Sequence, residues 1–205
     1  KENIYLENID DIISIAKKYN FVISLGATFR PAGIIDACDN PHILETEKQR
    51  ELCHYIQSRG VSVIVENVGH ISIDKIATHS KLLREMDAPI MPLGPTPLDN
   101  AVGNDHIAAA IGAAFMGYYK CAHIINAISP SEHSTSVFTS EDLIQAVISA
   151  RIAANSININ KFADCKESND SAYFMRAAIK SCLVANSDFC TRCDALCPLK
   201  FNNYE

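Results

Sequence analysis

Short apolar runs alternate with helix-period segments along most of this chain, and this alternation restricts the fold more than any other feature. The apolar runs are FVISLG (21–26), VSVIVE (61–66), APIMPLG (88–94) and AHIINAIS (122–129). The segments with the apolar spacing of helices lie at 8–19, 43–60, 72–86, 105–119 and 139–155. Because strands that alternate with helices form parallel sheets, the sequence predicts an α/β fold with four parallel strands.

Composition narrows the class of function. The 205 residues are 48% hydrophobic, enough to bury a core, and a net charge of -6 gives little electrostatic support for nucleic-acid binding. No apolar stretch approaches the roughly 20 residues that span a bilayer, and no signal segment is present, so we expect neither a membrane nor a nucleic acid as partner. The eight cysteines are spread along the chain, which favours free thiols in a reducing cytoplasm over disulfides.

Ionisable side chains recur just after each predicted strand, in GATFRP, ENVGH, GPTPLDNAVGNDH and SPSEH. Parallel sheets and barrels place their active sites at this edge. The candidates are Arg30, Glu66, His70, Asp99, Asp105, His106 and His133. His70 and His133 each lie near a carboxylate and are candidates for a divalent metal site, while Arg30 suits an anion. Salt bridges, helix caps and turn positions are the plain alternatives for these residues.

Three further histidines receive a structural interpretation. His42, His54 and His79 fall on or near predicted helical surfaces. A lone histidine in such a place is more often solvated or hydrogen-bonded than a metal ligand. We therefore expect none of the three to belong to a site.

The segment CTRCDALCP (190–198) brings Cys190, Cys193 and Cys197 close together in sequence. A structural zinc site uses four protein ligands, whereas a 4Fe–4S cluster with three cysteines leaves one iron open. The spacing also matches part of a bacterial ferredoxin motif, which would make the chain an electron-transfer or regulatory module with Cys182 as a distant fourth ligand. The residues alone leave these alternatives open. We divide the chain into a (βα) body, 1–160, and a helical arm with the cysteine motif, 161–205.

Five ordered motifs resemble the phosphomethylpyrimidine synthase family, the radical S-adenosylmethionine enzymes of thiamine pyrimidine synthesis. They are SLGATFRP (24–31), ENVGH (66–70), PLGPTPLDNAVGNDH (92–106), IGAAFMGYYKCA (111–122) and SPSEH (129–133). The resemblance covers nearly the whole chain and implies the C-terminal half of a (β/α)8 TIM-type barrel followed by the cysteine arm. Because the family is roughly twice as long, we expect a homodimer or pairing with an N-terminal half, and little or no activity of this chain alone.

Departures within the motifs point to one branch of this family. GATFRPAG stands where the thiamine enzymes usually have GDGLRPG, ENVGHIS replaces EGPGHVP, and CxxCxxxC replaces CxxCxxxxC. In these respects the chain is more similar to the 5-hydroxybenzimidazole synthases, which convert 5-aminoimidazole ribotide into the base of the cobamide lower ligand. We therefore expect that product, in cobalamin biosynthesis, with the thiamine pyrimidine from the same substrate as the alternative. The family's loop aspartate is replaced around Ala27 and Thr28, which puts its contact in doubt.

The resemblance also implies cofactors and residue roles for a radical S-adenosylmethionine lyase. His70 and His133 would bind a divalent metal, zinc or iron. Cys190, Cys193 and Cys197 would bind a 4Fe–4S cluster whose open iron chelates S-adenosylmethionine, and flavodoxin or ferredoxin would supply electrons. The implied catalytic residues are Glu66 and Asp105. The implied substrate-binding residues are Arg30, Glu66, Asp99 and His106.

Overall fold

The computed structural model describes residues 3–182, 190 and 192–201. Contacts along the backbone divide the chain into two compact units, Lys1–Ala154 and Asn155–Glu205. The elements in chain order are α1 (Ile4–Glu7), α2 (Ile9–Tyr19), β1 (Ile23–Leu25), α3 (Asn40–Ser58), β2 (Val63–Asn67), α4 (Ile73–Arg84), β3 (Ile90–Pro92), α5 (Asp105–Tyr118), α6 (Ser140–Asn158), α7 (Ala163–Ile179), a 3₁₀ turn (Asp194–Leu196) and α8 (Pro198–Phe201). None of the described helices has both the length and the apolar character needed to cross a membrane.

The sheet is parallel, and its strands follow one another in the order β1-β2-β3. Ile23 pairs with Val63, and Val65 pairs with Ile90. The helix α3 connects β1 to β2, and α4 connects β2 to β3, as parallel strands require a crossover. The predicted α/β class is therefore confirmed. Since all three strands run in the same direction, their carboxyl ends lie along one edge of the sheet.

The fourth predicted strand, 122–129, is not a strand in the structure. Its backbone runs beside β3, because the N–H groups of His123 and Ile124 both donate to the Ile90 carbonyl, at 2.9 and 3.4 Å. The Ile90 N–H, however, donates to the imidazole Nδ1 of His123 at 3.0 Å. A side chain thus occupies the position that a backbone carbonyl would take in a parallel ladder, and the pairing does not continue.

The hydrophobic core lies between the sheet and the helices α3, α4 and α5. Its fully buried side chains include Ile56, Val65, Ile76, Leu83 and Met116. Burying each large apolar side chain contributes about 1.5–3 kcal/mol. This layer fixes the sheet edge from which the loops of the candidate site emerge.

The helix α5 packs unusually close to the loop that follows β3. An ideal Cβ on Gly112 would lie only 2.0 Å from the Pro95 carbonyl oxygen, so the approach needs a residue without a side chain. Ala108, Ala109 and Ala113 are also buried on this helix. These small residues set the position of the first helical residue, Asp105, which belongs to the site described below.

Candidate functional site

Backbone hydrogen bonds join the loops that follow the three strands. The His70 N–H donates to the Pro31 carbonyl at 3.1 Å, after β1. The Thr96 N–H donates to the Gly69 carbonyl, and the Ile71 N–H donates to the Thr96 carbonyl, each at 3.0 Å. A Cβ on Gly69 would lie 2.5 Å from the Pro31 oxygen, so glycine permits this contact. The loops therefore hold His70 at the carboxyl edge of the sheet.

His70 and His133 converge at this edge, although 63 positions separate them in sequence. Their Nε2 atoms lie 3.2 Å apart, and their rings meet edge to face. The His70 Nδ1 lies 2.6 Å from a carboxylate oxygen of Asp99. The His133 Nδ1 lies 2.8 Å from a carboxylate oxygen of Asp105. Each imidazole is thus held between a carboxylate and the other imidazole.

These contacts determine where each neutral ring carries its hydrogen. An ionised carboxylate only accepts, so the Nδ1 atoms of His70 and His133 donate, and both Nε2 lone pairs face each other. Two such lone pairs repel at 3.2 Å unless a cation lies against them. Two imidazole nitrogens on a tetrahedral Zn²⁺ at about 2.0–2.1 Å would be about 3.3 Å apart. The pair therefore fits a divalent metal.

The two carboxylates are themselves fixed by backbone N–H groups. Both oxygens of Asp99 accept from the Ile34 N–H, at 3.2 and 3.0 Å. Partial burial alone would raise the pKa of Asp99, but the hydrogen bonds from His70 and Ile34 outweigh it and lower that pKa below its ordinary value. Asp105 is 2% exposed and accepts the His133 N–H at 3.2 Å. Such partners orient metal-binding histidines and increase their basicity.

A cavity of about 550 Å³ lies over the histidine pair. Of the residues singled out in the sequence, Arg30, His70 and His133 line it. The Arg30 guanidinium donates to the Ala27 carbonyl at 2.8 Å, which anchors the side chain within the loop after β1. The cavity thus combines an arginine with two imidazoles, a polar set suited to an anionic ligand.

The remaining predicted residues do not line this cavity. The Glu66 carboxylate accepts the Ser24 hydroxyl at 2.8 Å and so joins β2 to β1. Asp99 and Asp105 lie behind the imidazoles, and the His106 Nδ1 is buried without a partner among the described residues. Substrate contact or catalysis by these four residues stays a prediction, while the geometry gives the two aspartates a positioning role.

Sequence reasoning assigned no role to three polar residues that line the cavity, namely Thr28, Asn126 and Glu132. Glu132 directly precedes His133 in the SPSEH motif, which was a usable signal. Asn126 lies within the segment that was predicted as a buried strand, so its polarity was not interpreted. Thr28 occupies the position at which the resemblance to the family breaks down.

Two other histidines are hydrogen-bonded, as expected, but their placement on helical surfaces was wrong. His42 and His79 are completely buried rather than on helical surfaces. They lie on the faces of α3 and α4 that pack together, and both hydrogen-bond Asn67 at the end of β2. Only His54 of this group is exposed, with its Nε2 against the Glu85 carbonyl at 3.0 Å.

The cysteine motif lies in the second unit, around the 3₁₀ turn. The Leu196 N–H donates to the Cys193 carbonyl at 2.9 Å. Cys190 is half-buried, Cys193 is exposed and Cys197 is buried. All eight cysteines are free thiols. Three free thiols within eight residues of sequence suit a cluster ligated by three cysteines, whose sulfurs bind different irons and need not converge on one point.

The fold and the site together define an α/β protein with a candidate divalent-metal centre at the carboxyl ends of its strands. The sequence model of the radical SAM ThiC family matches residues 1–180. The chain belongs to this family.

Curated relatives carry the name phosphomethylpyrimidine synthase. The protein of Thermotoga petrophila is 39% identical over 75% of this chain and 36% of its own length. That of Archaeoglobus fulgidus is 38% identical over 88% of this chain and 43% of its own length. Phosphomethylpyrimidine synthase 1 of Methanosarcina barkeri is 32% identical over 99% of this chain, including the cysteine motif, and 52% of its own length. The chain thus spans about a third to a half of the length of these relatives.

The relatives also bear on the expected product. The sequence motifs favoured the 5-hydroxybenzimidazole branch, with phosphomethylpyrimidine synthase as the alternative. The curated relatives named above carry the name of that alternative. The comparisons therefore support the pyrimidine branch better than the benzimidazole branch.

Proposed function

We propose that this protein acts as a phosphomethylpyrimidine synthase, a radical S-adenosylmethionine enzyme that converts 5-aminoimidazole ribotide into the pyrimidine phosphate of thiamine. The observation that carries the proposal is the convergence of His70 and His133 beneath the cavity, in a chain of the radical SAM ThiC family. The names of the relatives support the choice of product.

The histidine pair would hold a divalent metal, zinc or iron, through both Nε2 atoms. Asp99 and Asp105 accept the Nδ1 hydrogens, which orients both rings and leaves the Nε2 atoms for the ion. An ion held there would add positive charge at the cavity floor, which would attract the carboxylate of S-adenosylmethionine. Arg30 adds a fixed guanidinium, which would bind an anionic group of the substrate.

Cys190, Cys193 and Cys197 would hold three irons of a 4Fe–4S cluster. When bound, such a cluster supplies the electron that cleaves S-adenosylmethionine and starts radical chemistry on the substrate. The task of the chain is to position the reactants and to exclude water from them. The apolar cavity residues Leu93 and Ile128 serve this exclusion.

A second product is favoured by one specific observation. The family's GDGLRPG loop is replaced here by GATFRPAG, and the structure places Thr28 of this loop in the cavity wall. Ala27 is buried and its carbonyl accepts from Arg30. A different cavity wall would favour a different rearrangement of 5-aminoimidazole ribotide, so 5-hydroxybenzimidazole is the second candidate product.

The remaining parts of the proposal concern partners and surroundings. Flavodoxin or ferredoxin would supply the electron, and a reducing cytoplasm suits the eight free thiols. The sheet would form part of a (β/α)8 barrel, completed by an N-terminal half, and the protein would work as a homodimer. The 161–205 segment would be the arm that carries the cluster.

Product identification tests the proposal. The chain together with the N-terminal half proposed above is reconstituted anaerobically with iron and sulfide and incubated with 5-aminoimidazole ribotide, S-adenosylmethionine and dithionite, and the products are identified by mass spectrometry. We expect the pyrimidine phosphate from the parent and from Cys165→Ser, a cysteine of α7 outside the motif, and none from Cys193→Ser. Benzimidazole would establish the second candidate instead, and turnover that survives Cys193→Ser would exclude both.

A further inference from the structure

A second group of metal-binding side chains lies among the buried residues. Cys38, His42 and His79 each offer one ligand atom, and the three atoms lie within 4.8 Å of one another. Both histidines are fully buried, and Cys38 is half-buried. None of the three lines the cavity described above. They are also distinct from the histidine pair and from the cysteine motif.

Hydrogen bonds around Asn67 determine the tautomers of both histidines. The Gln49 amide nitrogen donates to two backbone carbonyls, so the Gln49 oxygen must accept from the Asn67 amide nitrogen, at 2.6 Å. The Asn67 oxygen is therefore the acceptor for the Nε2 atoms of His42 and His79, at 3.3 and 2.8 Å. Both rings thus carry hydrogen on Nε2 and a lone pair on Nδ1.

The two Nδ1 lone pairs have different surroundings. That of His42 accepts the Cys38 N–H at 3.1 Å. That of His79 is buried and has no hydrogen-bond partner in the described part of the chain. Unpaired buried acceptors are rare because they lose their hydration without compensation, and each requires an explanation such as an ion. Burial, with a smaller effect from His42, lowers the pKa of His79 to about 3, so its ring is neutral at physiological pH.

We propose that Cys38, His42 and His79 form a second metal site, for a borderline-soft ion with Zn²⁺ as the first choice. One thiolate and two imidazoles are a donor set that Zn²⁺ accepts, and with three protein ligands a water molecule would take the fourth position. An ion at about 2.3 Å from sulfur and about 2.0–2.1 Å from nitrogen needs ligand atoms about 3.3–3.6 Å apart. The ligand atoms, which lie within 4.8 Å of one another, would therefore draw together by about 1.5 Å at most, and the His42 Nδ1 would exchange the Cys38 N–H for the ion.

The thiol is the one ligand that must change its protonation state. Burial raises the pKa of Cys38, while the charge of Lys75 opposes this effect. Formation of the metal–sulfur bond therefore releases one proton to solvent. The two neutral imidazoles bind without losing a proton.

The position of the ligands connects this site to the loop that supports the histidine pair. Cys38 ends the loop after β1, His42 lies in the first turn of α3, and His79 lies on α4. The same loop carries Ile34, whose N–H donates to Asp99, the carboxylate that orients His70. An ion bound at the second site would therefore hold in place the loop that supports the histidine pair.

Cobalt spectroscopy tests this site in a background that lacks the other proposed ligands, with His70→Gln and with Cys190, Cys193 and Cys197 changed to serine. We expect one equivalent of Co²⁺ to bind with a thiolate-to-cobalt charge-transfer band, which Zn²⁺ then removes. Adding Cys38→Ser should abolish the band. Adding Cys121→Ser should preserve it, because that buried thiol lies outside the proposed site and donates to the Ser80 carbonyl, as a serine hydroxyl also does. Absence of the band, or its survival in Cys38→Ser, would overturn the proposal.

A second measurement uses the unaltered chain. N-ethylmaleimide labelling of each cysteine is followed by peptide mass spectrometry, with and without Zn²⁺. We expect Zn²⁺ to slow labelling of Cys38 by about tenfold or more, because the bound thiolate is no longer the free nucleophile. Cys165, which is also half-buried, should react at an unchanged rate. Equal rates at Cys38 in both conditions contradict a metal site there.

Discussion

Replacing His70 by glutamine should lower the affinity of the cavity site for a divalent metal by about 100-fold or more. The change removes one of two imidazole nitrogens that lie 3.2 Å apart, while the glutamine amide can still donate to Asp99. Binding of Zn²⁺ and Fe²⁺ is measured by anaerobic equilibrium dialysis and metal analysis. The background carries Cys38→Ser and Cys193→Ser, so that the other proposed sites contribute little.

Two further variants serve as a control and as a comparison for His70→Gln. His54→Gln alters an exposed histidine of α3 whose Nε2 lies against the Glu85 carbonyl, and it should leave metal binding unchanged. Asp99→Asn removes an orienting carboxylate rather than a ligand, so it should weaken binding by about 10–100-fold without abolishing it. Full-affinity binding in His70→Gln would show that the histidine pair is not a metal site.

The Gly112→Ala substitution should lower the free energy of unfolding by about 2–3 kcal/mol. The new methyl group would lie 2.0 Å from the Pro95 carbonyl oxygen, and 2.9 Å from its carbon, so α5 must shift away from the loop after β3. The same substitution in an exposed helix would stabilise it by about 1 kcal/mol. Packing therefore predicts a lower free energy of unfolding and helix propensity predicts a higher one. Urea unfolding monitored by circular dichroism distinguishes the two.

The matched control is Gly26→Ala, at a glycine with nothing within 4 Å of an added Cβ. It should change the stability by less than about 0.5 kcal/mol. Because α5 begins at Asp105, displacement of this helix should also weaken metal binding through His133. A Gly112→Ala protein as stable as its parent would contradict the close packing of α5.

Much of the fold follows from short-range patterns. Apolar spacing predicts the five helices α2 to α6 to within a few residues, but it does not predict α7. The β-branched residues of 61–66 predict β2. The prediction of a fourth strand is wrong for a reason that the apolar periodicity does not reflect. The imidazole of His123 takes the Ile90 N–H, and a competition of this kind depends on one side chain in three dimensions.

The site was predictable where it depends on strand ends. The rule that active sites lie at the carboxyl edge of a parallel sheet selected His70 and His133 from the sequence, and the structure brings them together. This rule does not predict that Asp99 contacts His70, because that contact depends on the path of the loop that contains Asp99, 29 positions further along the chain.

Buried polar residues explain the error at His42 and His79. The buried positions of α3 include His42, Thr46 and Gln49, so the inner face of this helix is largely polar in its first half. An apolar pattern cannot reveal such a face. The network that satisfies it is centred on Asn67, which joins residues of two helices and one strand.

Electron paramagnetic resonance of the reduced iron–sulfur cluster tests radical S-adenosylmethionine chemistry in this protein most directly. Spectra of the anaerobically reconstituted protein are recorded with and without S-adenosylmethionine, for the parent and for Cys182→Ser. We predict a 4Fe–4S signal that shifts when S-adenosylmethionine binds the open iron, unchanged in Cys182→Ser. A signal indifferent to S-adenosylmethionine, or a cluster lost with Cys182, would contradict the enzyme and indicate an electron-transfer module.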